Sequence, residues 1–177
     1  MKKVLLHSCC APCSTQVIDV LSKDFDLTIF YSNSNIYPLE EYQKRLEEQR
    51  KYVKIANVGL IEDDYSEKDY LKAIKGLELE KEGGKRCEEC FKFRLKRTAQ
   101  KAKQLGFDLF GTTLTVSPHK NAELINAIGK QIAEEVGIEF LEGNYKKQDG
   151  YKKSIEFSKR YNLYRQNYCG CRFSIRN

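Results

Sequence analysis

Short apolar runs alternate with longer amphipathic stretches along the whole chain, and this alternation is the strongest constraint on its fold. Val4-Leu5-Leu6, Leu27-Thr28-Ile29-Phe30-Tyr31, Gly59-Leu60-Ile61, Asp108 to Thr115 and Ile138-Glu139-Phe140-Leu141 have the composition of buried strands. Between them, Ser14 to Leu21, about Leu39 to Ala56, Cys90 to Leu105 and Asn121 to Val136 place apolar residues at helical spacing. Strands separated by helices become parallel neighbours rather than hairpin partners. The pattern therefore predicts an α/β fold, a doubly wound, mostly parallel sheet of about five strands, of the nucleotide-binding HUP or Rossmann-like kind. With 177 residues, 41% of them hydrophobic, the chain suits a single domain spanning residues 1–177.

Charge is distributed unevenly. The formal net charge is +6, and residues 144–177 alone carry nine Lys/Arg against Asp149 and Glu156, a net of +7. The basic excess thus belongs to a C-terminal segment within the domain, helical in pattern from Tyr151 to Gln166. A polyanion such as nucleic acid is the natural partner of such a patch, and a solvated helix face is the plain alternative. No run approaches the roughly eighteen apolar residues of a membrane span, and the apolar stretch after Lys3 stops at Leu6, too short for a signal peptide. A soluble cytoplasmic protein without a membrane partner is expected.

Seven cysteines fall into three tight groups: 9, 10 and 13; 87 and 90; 169 and 171. An odd number so grouped is no secreted disulfide framework; short motifs far apart in sequence have the character of ligand sets assembled by folding. Cys9-Cys10 and Cys87-x-x-Cys90 could hold Zn²⁺ or an iron–sulfur cluster, since both accept four thiolates. Adjacent cysteines at a strand end diverge and suit the separated irons of a cubane; pure thiol chemistry is the third option. The first group sits between a strand and a helix, where open α/β sheets place their ligands. Cys169-Gly170-Cys171 can close only a very small disulfide ring, a reducible two-electron store; two more metal ligands is the other reading.

Several further residues qualify as partners. Asp64, after the third strand, is a candidate carboxylate ligand or proton donor, and Asn33 and Asn35 lie in the loop after the second. His7 could supply a proton, although a histidine at a strand end is more often a packing residue with its hydrogen bonds satisfied. Tyr161, Tyr164 and Tyr168 interleave with Arg160, Arg165 and Arg172, a mixture that suits single-stranded RNA, unless the tyrosines pack into the core. A sulfur-inserting tRNA enzyme would show a Ser-Gly-Gly-type phosphate loop where this chain has Ser8-Cys9-Cys10-Ala11-Pro12-Cys13. A zinc-stabilised RNA-binding module without redox activity is the remaining alternative.

Four motifs, His7-Ser8-Cys9-Cys10-Ala11-Pro12-Cys13, Gly84-x-Arg86-Cys87-x-x-Cys90-x-x-x-Arg94-Leu95, Thr113-Leu114-x-x-Ser117-Pro118-x-Lys120 and Tyr164-Arg165-Gln166-x-Tyr168-Cys169-Gly170-Cys171, together resemble the QueH-type epoxyqueuosine reductases. The resemblance spans almost the whole chain. It implies cobalamin-independent removal of the epoxide oxygen of epoxyqueuosine at the tRNA wobble position. It also implies a [4Fe-4S] cluster on Cys9, Cys10, Cys87 and Cys90 and a redox-active disulfide between Cys169 and Cys171. Cys13 and Asp64 then stand as candidate ligands of an additional iron ion, and Arg86, Arg94, Lys120, Arg165 and Tyr168 as expected substrate contacts. The partners would be tRNA and an electron donor that the motifs do not identify. Where the family commonly has a histidine before the proline of the second-strand loop, this chain has Tyr37.

Overall fold

The computed structural model describes residues 1–175. Five strands, β1 (Lys2–His7), β2 (Phe25–Tyr31), β3 (Gly59–Glu62), β4 (Leu109–Thr112) and β5 (Glu139–Phe140), form one sheet in the order β3-β2-β1-β4-β5. Every pairing is parallel. Six helices intervene: α1 (Ala11–Leu21), α2 (Leu39–Ala56), α3 (Glu67–Ala73), α4 (Lys85–Gln104), α5 (Ala122–Val136) and α6 (Gly150–Arg160). The expected doubly wound α/β architecture is therefore what forms, and the sheet is parallel throughout.

Alternation of side chains along the central strand divides the core in two. Val4 and Leu6 of β1 join Leu27, Ile29 and Leu109 beneath α1 and α2. Leu5 points the other way, joining Phe30 and Phe110 against α4 and α5. Val4, Leu5 and Leu6 are wholly buried, and burial of each contributes about 1.5–3 kcal/mol. On the second face α5 approaches β5 so closely that a side-chain carbon at Gly129 would collide with the Phe140 ring. Among the described residues no helix is long and apolar enough to cross a membrane.

Strand order sets the position of the site. The chain steps outward from β1 to β2 to β3 and then returns to place β4 on the other flank of β1. The sheet thus switches direction between β1 and β4, and ligands of open α/β sheets bind at the carboxyl ends of the strands at such a point. His7 and Thr112 are the paired residues there. The thiol loop follows one, and the segment leading to Lys120 follows the other.

Several elements differ from the sequence expectation. The fourth strand ends at Thr112, and Leu114–Val116 form a 3-10 turn. Helix α3 carries no strong apolar period of its own; the Ser66 hydroxyl caps it by accepting from the Asp69 amide. Helix α6 stops at Arg160 rather than Gln166. Asn162 takes a left-handed conformation (φ 52°), and the chain doubles back across α2, burying Leu163 in the first core layer.

Candidate metal and thiol redox site

The thiol loop is fixed by the sheet and by a chain of buried polar contacts. The Ser8 amide donates to the Phe30 carbonyl (3.1 Å), which carries the β1 pairing one residue past its end. Asn33 Nδ2 donates to the Ser8 carbonyl (2.8 Å). The Ser8 hydroxyl donates to Gln49 Oε1 (2.6 Å), and Gln49 Nε2 reaches Ser14 Oγ (3.2 Å) on the first turn of α1. His7 belongs to this scaffold. Its Nε2 faces the Ser32 carbonyl and Asn33 Oδ1 (both 3.2 Å), and its Nδ1 faces the Thr112 hydroxyl (3.0 Å). Burial and the Arg94 charge lower its pKa to about 4, and both ring nitrogens are engaged, as in a packing histidine.

Cys10 precedes α1 in an extended conformation, and Pro12 lies in the first turn. The sulfurs of Cys9, Cys10 and Cys13 all lie within 4.8 Å of one another, a group able to hold a metal ion; those of Cys9 and Cys10 are 3.8 Å apart. Hydrogen bonds from Cys10 and Cys13 hold the Cys9 thiol well below its ordinary range. Cys13 draws the Cys10 thiol down in the same way, but the Cys9 contact and burial outweigh it and push Cys10 up to about 12. The Cys9 sulfur is thus the favoured acceptor in the group, and metal binding would displace its protons.

Cys87 and Cys90 lie on the first turns of α4, which begins at Lys85, just ahead of the Cys-x-x-Cys. Cys87 packs against the layer that contains Cys9 and Cys10 and accepts from the Gly83 amide (3.2 Å). Cys90 is buried in a cluster with Tyr70, Ile74 and Cys171, and burial pushes its thiol up to about 12. Two cations connect the groups. Burial works against charge on Arg94, but the neighbouring sulfurs of Cys90, Cys169 and Cys9 favour its cationic form. Lys120 is held the same way by Cys169, Cys9 and Cys13. Arg94 is 1% exposed, and its Nε and Nη2 have no hydrogen-bond partner among the described residues. A buried guanidinium with two unused donors among thiols needs an anionic neighbour. The donor set and these cations fit an anionic metal–thiolate group.

The Cys-Gly-Cys loop is anchored by α2. Arg45, 1% exposed, donates through Nη1 to the Cys169 carbonyl (2.9 Å), through Nη2 to the Tyr168 carbonyl (3.0 Å) and through Nε to Glu41 (3.0 Å). Glu41 in turn accepts from the Tyr164 hydroxyl (2.7 Å). The Tyr37 amide donates to the Gly170 carbonyl (2.8 Å), and the Tyr168 hydroxyl to the Tyr37 carbonyl (2.5 Å). Gly170 has φ 144°, and a side-chain carbon there would press on Ile36 and Arg45, so the turn requires glycine. Gln166 Nε2 lies 3.0 Å from the Cys10 sulfur, which joins the two loops.

The expected substrate contacts divide by exposure. Arg165 is exposed and Tyr168 and Lys120 are half-buried. Arg86 is buried, donates to the Glu80 carbonyl and stacks on Phe173; Arg94 is buried among thiols. Asp64 faces solvent and lies outside the three-sulfur group. Its neighbour Asp63 turns inward instead, taking the Ser32 hydroxyl and Arg97 Nε at 2.7 Å each. Of the three C-terminal tyrosines, Tyr161 packs on the first core layer, Tyr164 lies beneath Lys44 and Tyr168 beside Arg45. Arg45, Gln49 and Tyr70 escaped the sequence reading. The available signal for the first two was a cation and an amide on the buried face of α2, in step with Tyr42, Leu46, Tyr52 and Val53.

A parallel sheet with thiols and buried cations gathered at its switch point defines a Rossmann-like α/β protein equipped to hold metal or exchange electrons through sulfur. Its backbone is similar to a solved structure described as a predicted subunit of tRNA methyltransferase from Methanocaldococcus jannaschii (TM-score 0.58, 14% identity, 89% of this chain and 75% of that one). It is also similar to a deacetylase of teicoplanin biosynthesis (TM-score 0.52, 9% identity, 90% and 84%); at such identities the likeness is one of fold.

Sequence relatives narrow the class. The family model described as Epoxyqueuosine reductase QueH matches residues 4–177. Proteins of that description are 42% identical over 179 residues in Streptococcus pyogenes serotype M1 (98% of this chain, 70% of the relative) and 44% identical over 180 residues in Staphylococcus aureus (97% and 75%). A third, from Thermotoga maritima, is 41% identical over 181 residues (99% and 91%). The chain belongs to the QueH family of epoxyqueuosine reductases and is an oxidoreductase.

Proposed function

We propose that the chain reduces epoxyqueuosine to queuosine at the tRNA wobble position, the epoxide oxygen leaving as water. The observation that supports this reading is the three-sulfur group of Cys9, Cys10 and Cys13 at the switch point of the sheet, with Cys87 packed against the same layer and the cations Arg94 and Lys120 close by. Conversion of an epoxide to an alkene takes two electrons and two protons. Oxidation of the Cys169 and Cys171 thiols to a disulfide releases the same two electrons and two protons, so one turnover balances, and an electron donor must then reduce the pair again. Cys9, Cys10, Cys87 and Cys90 would hold a [4Fe-4S] cluster, with Cys13 beside the first two available to an additional iron. Such a group supplies one-electron transfer and, at an iron with an open position, a Lewis acid for the departing oxygen. Asp64 is not carried into this ligand set, because it faces solvent.

The protein's own side chains bind and orient. Arg94 and Lys120 offset the negative charge of the thiolates. The wobble nucleotide lies in a single-stranded loop and can be splayed toward the sheet edge. Arg165, exposed beside the Cys-Gly-Cys loop, and the exposed Lys147, Lys152, Lys153 and Lys159 of the basic segment would hold phosphates.

Anaerobic purification tests the reading. The protein is expected to contain iron and sulfide, to lose cluster absorption in Cys9→Ser and Cys87→Ser but keep it in Cys169→Ser, and to form queuosine from epoxyqueuosine-containing tRNA with a chemical reductant. A colourless zinc protein, or no queuosine from protein with its cluster intact, overturns it; the first outcome would favour the RNA-binding module.

A further inference from the structure

The two sulfurs of the C-terminal pair have unlike surroundings. Cys169 is half-buried and lies near the cations Arg94 and Lys120. Cys171 is 6% exposed and packs with Tyr70, Ile74 and Cys90, with Leu71, Phe93 and Phe173 around them. Tyr70 has no exposed surface, and among the described residues its hydroxyl makes no well-formed hydrogen bond; the Cys171 sulfur is the polar group set against it. A wholly buried phenol without a full hydrogen bond is costly. It is retained here against a small group of thiols.

Resting on the reading of Cys169 and Cys171 as a redox pair, we infer that Cys169 is the sulfur open to thiol exchange, Cys171 its buried resolving partner and Tyr70 the positioning residue that steadies the Cys171 sulfur. Reduction of the oxidised pair by a thiol then proceeds in a fixed order. An external thiolate attacks the accessible Cys169 sulfur. The Cys169–Cys171 bond breaks, and Cys171 leaves with the electron pair and takes a proton, while the Tyr70 hydroxyl donates a hydrogen bond to it. A second thiolate attacks the mixed disulfide, forming the external disulfide and freeing Cys169. Two thiols are oxidised and the pair gains two electrons and two protons. Attack in the opposite sense would require a reductant to enter the apolar cluster around Tyr70. The geometry therefore suits a thiol-class reductant that approaches from the Cys169 side.

Oxidised glutathione is the probe, applied to the full-length, anaerobically purified protein with the adducts located by peptide mass mapping. Cys171→Ser is expected to trap glutathione on Cys169, and Cys169→Ser to form the Cys171 adduct at least about tenfold more slowly. Equal rates, or faster modification of Cys171, overturn the assignment. In the wild type, glutathione should yield the Cys169–Cys171 disulfide. If that disulfide never forms, the redox-pair reading itself falls; if it forms while the single variants react equally, only the order inferred here falls. Tyr70→Phe keeps the ring and its packing. It should slow reduction of the wild-type disulfide by dithiothreitol about threefold or more, while leaving glutathione capture by Cys169 in the Cys171→Ser background unchanged. An unchanged reduction rate removes Tyr70 from the device.

Discussion

The two cysteine loops that meet at the sheet edge are held in opposite ways. The N-terminal loop continues the central strand: its first residue still pairs with β2, and Asn33, Gln49 and Ser14 close around it within the fold's own layers. The C-terminal loop continues nothing. It lies beyond the last helix and is retained mainly by side chains: Arg45 on the carbonyls of residues 168 and 169, the Tyr37–Gly170 and Tyr168–Tyr37 bonds, Gln166 on the Cys10 sulfur, the Arg172–Glu67 ion pair and the packing of Cys171 beside Tyr70. Sheet topology places the metal-binding candidates, whereas a few long side chains place the redox pair. The first loop should be as stable as the domain, and the second should open separately.

Arg45→Met presses hardest on that difference. It removes three hydrogen bonds and leaves Glu41, largely buried with 12% of its side chain exposed, without its cation. The expected cost is about 3 kcal/mol, localised to the chain after Arg160. Limited proteolysis should cut within 161–175, and Cys169 and Cys171 should alkylate faster, before the sheet unfolds. If proteolysis and alkylation instead track global unfolding, the C-terminal loop is as integral as the N-terminal one.

Gln49→Leu is the matching test of the first loop. It strips partners from the buried Ser8 and Ser14 hydroxyls at a cost of about 2 kcal/mol. Because the loop belongs to the domain, the loss should appear in the global denaturation midpoint rather than as local opening. Alkylation of Cys169 should be unchanged. Local exposure of Cys9 or Cys13 without a shifted midpoint would erase the contrast.

The same difference explains what could be read in the chain. Elements driven by their own periodicity were legible: α2 occupies Leu39–Ala56 as its spacing predicts, and Val4-Leu5-Leu6 forms the central strand. The position of Cys9 and Cys10 followed as well, since it depends only on a strand preceding a helix. The course of the chain after Arg160 was not legible. Tyr161, Leu163 and Tyr164 sustain a helical pattern, but Lys51 bonds the Asn162 carbonyl, Glu48 takes the Tyr164 amide, and Asn162 turns left-handed. Contacts more than one hundred residues away outweigh a local preference of a few tenths of a kcal/mol per residue. Arg45 was missed for the same reason, because its partners are the carbonyls of residues 168 and 169.

Asp63 and Asp64 sharpen the comparison at the smallest scale, because one turns inward at the sheet edge and the other faces solvent. Asp63 takes Arg97 and Ser32, which leaves sulfur as the inward-facing anionic ligand type of the thiol loop. Burial alone would raise its pKa, but Arg97, Ser32 and the Asp64 amide prevail and lower it. A carboxylate with a depressed folded-state pKa stabilises the protein above its unfolded value, about 3.9, and loses that contribution as pH falls through the folded value. Asp63→Asn should therefore cost about 1 kcal/mol at neutral pH, the ion pair being partly solvated. That cost should hold down to about pH 5 and fade as pH falls from about 4, where the unfolded-state carboxyl takes up its proton, through the lower folded value, where the native carboxyl loses its charge. Denaturation midpoints of the two proteins across that range should converge. If the gap stays constant into acid, Asp63 acts through its hydrogen bonds alone, and its charge has no part in holding this corner of the sheet edge.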